Sequence, residues 1–310
     1  MVNWVRYDES HRSAWDEFVK TCRSPLFFFE RGFMEYHADR FTDHSLLCFE
    51  DDALIAVLPA SLHGDTLISH GGLTFGGMLL SERCRAGSIV TAFKALLEAV
   101  AQAGASSVLY KSIPYVFQCL PSQEDLYALH QLGGRIVRRD LSSVIHLDNR
   151  LKLSKGRKAL IARARKEGLS VTVSADFERF HALLSDVLQR HGASPVHSVA
   201  ELRLLHERFP HNIRLYTVVE NDTLLAASLI FLFGQTRHTQ YLCTSERGKE
   251  VGALDFLIEE IISEAASSCK YFSFGISTEQ QGTILNSGLI AQKEGFGARG
   301  LVLDTYRIDL

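Results

Sequence analysis

Glu50-Asp51-Asp52-Ala53-Leu54-Ile55-Ala56 returns 170 residues later as Glu220-Asn221-Asp222-Thr223-Leu224-Leu225-Ala226. In each copy an apolar run precedes the acidic step and a longer one follows it. Asp-Asp and Asn-Asp tolerate the left-handed backbone that a two-residue turn demands, so each copy reads as a β-hairpin. The pattern continues beyond the hairpins. After the first come a strand at 65–69, a glycine-rich loop, a helix at 86–103 and a strand at 107–111. After the second come a strand at 238–243, a polar loop, a helix at 252–266 and a strand at 270–274. Each half closes on a helix and a strand, 122–132 with 135–138 and 283–294 with 301–308. Hairpins followed by β-α-β units predict an α/β fold with mixed sheets (α+β in their partly antiparallel pairing), built twice. The competing reading is one large mixed sheet with a chance likeness. Asp148-Asn149-Arg150 breaks the strand pattern of 144–147, which sets the domains at 1–149 and 150–310.

Composition narrows the function classes. Apolar content of 46% and charged content of 22% suit a globular chain, and a net charge of -3 gives no global attraction for DNA or a membrane. The longest apolar runs, such as 224–233, are strand-sized, well short of the roughly 20 residues a spanning helix needs. The amino-terminal segment lacks the basic and apolar regions of a signal peptide. Cys22, Cys48, Cys84, Cys119, Cys243 and Cys269 lie far apart with no CxxC pair, so reduced thiols and a cytoplasmic location are expected. His191, His197, His206 and His211 match no zinc spacing, and no metal is expected.

One window departs from the acidic whole. Residues 150–168 carry Arg150, Lys152, Lys155, Arg157, Lys158, Arg163, Arg165 and Lys166 against the single acid Glu167. The window reads as a helix with a short apolar face. It is either an anion site for a nucleotide, a CoA phosphate or RNA, or a solvated basic surface.

The carboxy-terminal stretch Gln292-Lys293-Glu294-Gly295-Phe296-Gly297-Ala298-Arg299 follows a helix that opens at Asn286-Ser287-Gly288-Leu289, and it leads into a strand. Here the chain resembles the FemAB-like transferases, whose last domain closes on a helix, an F-K-x-G-F-G turn and a strand. Lys293, Gly295, Phe296 and Gly297 match that turn, and Gln292 replaces its Phe. The form is closer still to a branch associated with surface-polysaccharide gene clusters. The hairpin-then-β-α-β order is likewise that of the GNAT fold. The resemblance covers the whole chain in layout and implies two tandem GNAT-like N-acyltransferase domains. It implies an acyl or aminoacyl group moved onto an amine, the donor being acyl-CoA or, as the alternative, aminoacyl-tRNA, with no tightly bound cofactor. The acceptor would be a small-molecule or nucleotide-linked amine, such as an amino sugar of an envelope precursor. The non-enzymatic alternative is a degenerate GNAT pair that only binds. No heptad run long enough for the coiled-coil arm of some peptidoglycan enzymes exists.

In that layout the donor's diphosphate would lie between the strand at 238–243 and the following helix. Arg247, Gly248, Lys249, Val251, Gly252 and Ala253 occupy the place and resemble a lengthened GNAT phosphate loop, which makes them the cofactor-binding candidates. Lys293 is the candidate for oxyanion stabilisation, carried over from the family lysine, with Glu294 as its partner or a proton acceptor and Tyr241 as a further catalytic candidate. Arg299 is a candidate for an acceptor phosphate, and Asn286 and His197 for acceptor contacts. In the first half, His70 beside the loop Gly71-Gly72-Leu73-Thr74-Phe75-Gly76-Gly77, together with Lys111 and Tyr115, reads as the lining of a cleft between the halves. The other reading of that loop is a glycine-rich corner.

Overall fold

A computed structural model describes every residue of the chain except His191, and the part of the histidine grouping that rests on it lies outside the described residues. The chain forms two compact units. The first comprises residues 1–141, 279–284 and 302–310, and the second 142–278 and 285–301. Against the sequential division expected at 149/150, the chain changes unit within a strand at 141/142, and its last residues belong to the first unit.

The first unit contains β1 (Val2–Arg6), α1 (Arg12–Thr21), α2 (Arg31–Met34), β2 (Leu46–Glu50), β3 (Ala53–Leu58), β4 (Ser61–His63), β5 (Thr66–Ile68), β6 (Leu79–Leu80), α3 (Ala86–Gln102), β7 (Ser107–Lys111), α4 (Glu124–Gln131) and the start of β8 (Arg135–His146). β1, β2, β3 and β6 form one antiparallel sheet. Asp51 and Asp52 both hold positive φ, 48° and 65°, the turn that the hairpin pattern requires. α3 lays Ile89, Phe93, Leu96 and Val100 on a core with Leu58, Leu80, Val108 and Tyr110. Two strands expected at 135–138 and 144–147 are one continuous β8, because Arg135 to His146 holds no glycine or proline to break it.

The second unit adds α5 (Lys155–Lys166), β9 (Val171–Ser174), α6 (Phe177–Gln189), α7 (Val199–Arg208), β10 (Ile213–Glu220), β11 (Thr223–Phe233), β12 (Thr236–Thr244), α8 (Glu246–Val251), α9 (Ala253–Ala265), β13 (Tyr271–Ile276) and α10 (Ser287–Glu294), while β14 (Thr278–Glu279) and β15 (Ile284–Leu285) straddle the unit boundaries and β16 (Arg299–Asp309) belongs to the first unit from residue 302 on. The β10–β11 turn repeats the first hairpin, with φ of 46° and 62° at Asn221 and Asp222. The ladder runs β9, β10, β11, β12 antiparallel, then β13 parallel to β12. β13 is bordered antiparallel by residues 142–146 of β8. α9 covers one face, burying Leu257, Ile258, Ile261 and Ile262 against Leu225, Ile230, Phe272 and Phe274. The helix expected over 283–294 starts only at Ser287, where the Asn286 side chain accepts the Leu289 N–H at 2.9 Å as N-cap.

Candidate active site

The central strands of the second unit part company. β12 and β13 are paired only over Thr236–Tyr271, Arg237–Phe272 and His238–Ser273. Beyond His238, β12 continues to Thr244 and β13 to Ile276 with no ladder between them. At the same level β12 carries a bulge: Leu229 faces Tyr241 and Ile230 faces Thr239, so Gln240 is the extra residue. A bulge takes a peptide N–H out of the ladder and aims it elsewhere. β13 is irregular on its other side as well, where its register against β8 shifts between Ser273 and Ile276 and Gly275 sits at a φ of 72°.

Polar groups gather at this opening. Lys293, on the last turn of α10, is 4% exposed and donates to Gly275 O at 3.0 Å and Ile276 O at 2.6 Å. Burial pushes its ammonium down to about 8. His238 shares a hydrogen bond with Ser273 Oγ at 3.1 Å, and burial and then the charge of Lys293 lower its imidazole to about 4. Among the described residues the buried hydroxyls of Thr239, Ser143 and Ser277 find no partner, an unusual cost for groups this deep. None of Gln240, His238, Thr239 or Ser277 stood out in the sequence. Gly275 inside an apolar strand was the one local sign of a bulge.

The expected donor loop is a helix. Ser245 caps α8 by accepting the Gly248 N–H at 3.0 Å, and Glu246 and Lys249 suit its first and last turns. Its glycines answer to packing: a Cβ at Gly248 would lie 2.2 Å from Leu225 O, and one at Gly252, at a φ of 74°, would lie 2.4 Å from Leu160 O on α5. Both cations are matched by acids. Arg247 grips Glu220 through Nε and Nη2 at 3.1 and 3.2 Å, and Lys249 meets Glu246 at 2.9 Å. Val251 and Ala253 are almost wholly buried, and Leu254 and Asp255 keep only 9% and 7% of their surface, so the first turn of α9 presents little open surface.

The basic window explains that burial. α5 lies on α9, and its arginines are committed to it or to the turn before it. Arg150 holds Glu259 through both terminal nitrogens at 3.0 and 2.6 Å, Arg157 pairs with Asp255, Arg165 meets Glu260 at 3.0 Å, and Arg163 donates to Glu250 O at 2.7 Å. Lys152, Lys155, Lys158 and Lys166 are exposed on the outside.

The carboxy-terminal turn also works mainly as packing. Phe296 is 2% exposed, stacked on Phe274 at 5.7 Å with the Arg157 guanidinium 5.2 Å from its ring. Glu294 is exposed and, among the described residues, forms no ion pair with Lys293, because adjacent helix residues project in different directions. Arg299 is exposed and donates to Ala298 O at 2.6 Å. The structure does join two candidates that the sequence left apart: His197 Nδ1 lies 2.7 Å from the Tyr241 hydroxyl.

In the first unit, Lys111 Nζ donates to His70 O, Gly71 O and Leu73 O at 3.0, 3.2 and 2.7 Å, so all its protons anchor the glycine-rich loop and none remains for a substrate. His70 is 3% exposed, packs edge-on against His37 at 5.3 Å, and is pushed down to about 3 by burial and then by the neighbouring His37. Tyr115 is half exposed on a single 3-10 turn. Among the described residues no helix is long and apolar enough to cross a membrane, and no group of three metal-ligating side chains gathers.

Residues 149–280 match the model of the acetyltransferase (GNAT) domain. The crystal structure of FemX superposes with a TM-score of 0.70 at 11% identity, over 99% of this chain and 97% of that one. L-PGS from Bacillus licheniformis gives a TM-score of 0.63 at 15% identity, covering 97% and 91%. A tandem GNAT protein from the clavulanic acid biosynthesis pathway gives 0.55 at 11%, covering 100% and 98%. No curated protein matches the sequence. The domain match falls on the unit in which the central strands part. The chain has the tandem GNAT fold, and its residues 149–280 match the acetyltransferase domain of that fold.

Proposed function

We propose that this protein is an N-acyltransferase that moves an acyl group from acyl-CoA to an amine of an amino sugar or related cell-envelope precursor. The observation that carries the reading is the opening between β12 and β13 beside the Gln240 bulge. Parted parallel strands leave main-chain groups with no ladder partner, and an extended pantetheine-like arm can take their place. A peptide N–H released by a bulge is a preorganised donor for the oxyanion that forms when an amine attacks the acyl carbonyl. Lys293 holds the end of β13 in its irregular course through Gly275 O and Ile276 O, which keeps the opening in shape. The orphan hydroxyls of Thr239 and Ser277 supply polar contacts for donor or acceptor.

A second donor has its own support. The buried first turn of α9 offers no seat for a diphosphate, while Lys152 and three lysines of α5 turn outward. Both features favour an aminoacyl-tRNA, whose backbone would meet the lysines. The test is binding of each donor to the full chain. Acetyl-CoA binding by calorimetry with little dependence on salt supports the first reading. Binding of tRNA that falls steeply between 50 and 200 mM salt (as expected for several phosphate contacts) and weakens in a Lys155→Glu/Lys158→Glu variant supports the second. Binding of neither rejects both donors.

A further inference from the structure

The repeated hairpin matches the two units strand by strand. β6 pairs antiparallel with β3 as β12 pairs with β11, and a helix and a strand follow each, α3 with β7 and α9 with β13. β7 is bordered antiparallel by residues 305–309 of β16, as β13 is by residues 142–146 of β8. The other edge of β7 is therefore the one that answers to the opening of the second unit. There β13 pairs with β12 only as far as Ser273. In the first unit β6 and β7 lie in different sheets. β5 stands in for β6, parallel to β7, with Thr66 opposite Ser107, Leu67 opposite Val108 and Ile68 opposite Leu109.

The occupied edge runs to the end of β7. Ser69 N–H donates to Leu109 O at 2.9 Å, and Ser69 Oγ accepts the Lys111 N–H at 2.7 Å. The glycine-rich loop then folds back over the same place. Lys111 Nζ holds it through His70 O, Gly71 O and Leu73 O. Gly71 N–H donates to Ser61 Oγ of β4 at 2.9 Å, and Met78 N–H donates to the buried Tyr110 hydroxyl at 2.6 Å. The return of the loop is tight, since a Cβ at Gly76 would lie 1.8 Å from Ser69 O. Segment 61–77 thus gives β7 from within the chain the parallel partner that β13 lacks. An extended arm arriving at this edge would have to break a hydrogen bond for each one it made, whereas at β13 it would meet main-chain groups that no ladder uses.

We propose that segment 61–77 is a built-in occupant of the first unit's groove, so that the first unit takes no acyl donor and each chain binds one, at the parted strands of the second unit. The proposal rests on the acyl-transfer reading and deepens it by assigning the donor to one of two like units. Ser69 is the residue on which it turns, because its N–H and its hydroxyl both serve β7 beyond the last ladder pair.

Three measurements on the full chain test the assignment. Calorimetric titration with acetyl-CoA, and separately with a 3′-aminoacyl-adenosine analogue, should saturate at one molecule per chain for whichever binds. Backbone amide spectra at saturation should show shifts at 239–241 and 274–277 and none at 66–69 or 107–111. Hydrogen exchange of the Ser69 and Lys111 amides should be about 100-fold or more slower than in an unfolded chain, as for a ladder that opens only with its unit, and should not change when the donor is added. Two donors per chain, shifts at 66–69 or 107–111, or exchange of Ser69 and Lys111 at the unfolded rate would overturn the proposal and leave transfer in the second unit standing. A chain that binds neither donor overturns the acyl-transfer reading, and the donor count with it.

Discussion

Lys111 and Lys293 were both singled out as substrate-facing cations, and both end on main-chain carbonyls. An ammonium group buried among carbonyls is a fastener: it satisfies acceptors that a bulge or a glycine-rich loop has pulled out of regular structure. Lys293→Met keeps the apolar stem but strips Gly275 O and Ile276 O of their donor. It should cost about 2–6 kcal/mol, one to three for each deprived carbonyl, read as a lower urea midpoint. An unchanged midpoint would mean that Lys293 fastens nothing. A second prediction concerns His70, whose folded-state value of about 3 lies below the usual 6.5 for histidine. The folded chain then binds fewer protons than the unfolded one, so stability is complete above pH 6.5 and falls as pH drops toward 3. The slope approaches about 1.4 kcal/mol per pH unit for this one residue. Thermal scans from pH 7 to 5 should show the fall, and His70→Gln should flatten it, while an equally steep curve in His70→Gln would show that other groups set it.

At the scale of elements, what could be read from sequence was what is local. The two hairpins are written in Asp51-Asp52 and Asn221-Asp222, residues that accept the left-handed turn, and the turns form as read. α8 was hidden because Gly248 and Gly252 look like loop residues, and their reason lies in β11 and α5, far away in sequence. The same distance concealed the site. The bulge at Gln240 exists only in the pairing of β12 with β11, and the opening only in the loss of pairing with β13, and neither leaves a mark on a single strand. The carboxy-terminal turn was legible as a motif, yet Phe296 and Gly297 serve packing, against Phe274 and close to Leu151 O. A third prediction follows for the seal between helices. Gly252→Ala forces a Cβ into left-handed backbone and against Leu160 O at 2.4 Å. Denaturant unfolding should show a loss of about 2–3 kcal/mol, more than the roughly 1 kcal/mol that strained backbone alone costs. A loss under 1 kcal/mol would mean that α5 does not press on this turn.

For the whole molecule, a chain with net charge -3 gathers eight bases in one window and commits Arg150, Arg157 and Arg165 of that window to acids of α9. The acidic remainder and the four outward lysines together set the ionic conditions under which any polyanionic donor can approach. Repetition of one layout in two units accounts for the tandem GNAT fold, and the parted strands of the second unit are the seat of the acyl transfer proposed above. The most direct test is a donor titration followed by backbone amide spectra of the full chain, once with acetyl-CoA and once with a 3′-aminoacyl-adenosine analogue. The account predicts that at least one of them shifts the amides of 239–241 and 274–277 before any others. Spectra in which both donors leave those residues unmoved would contradict it.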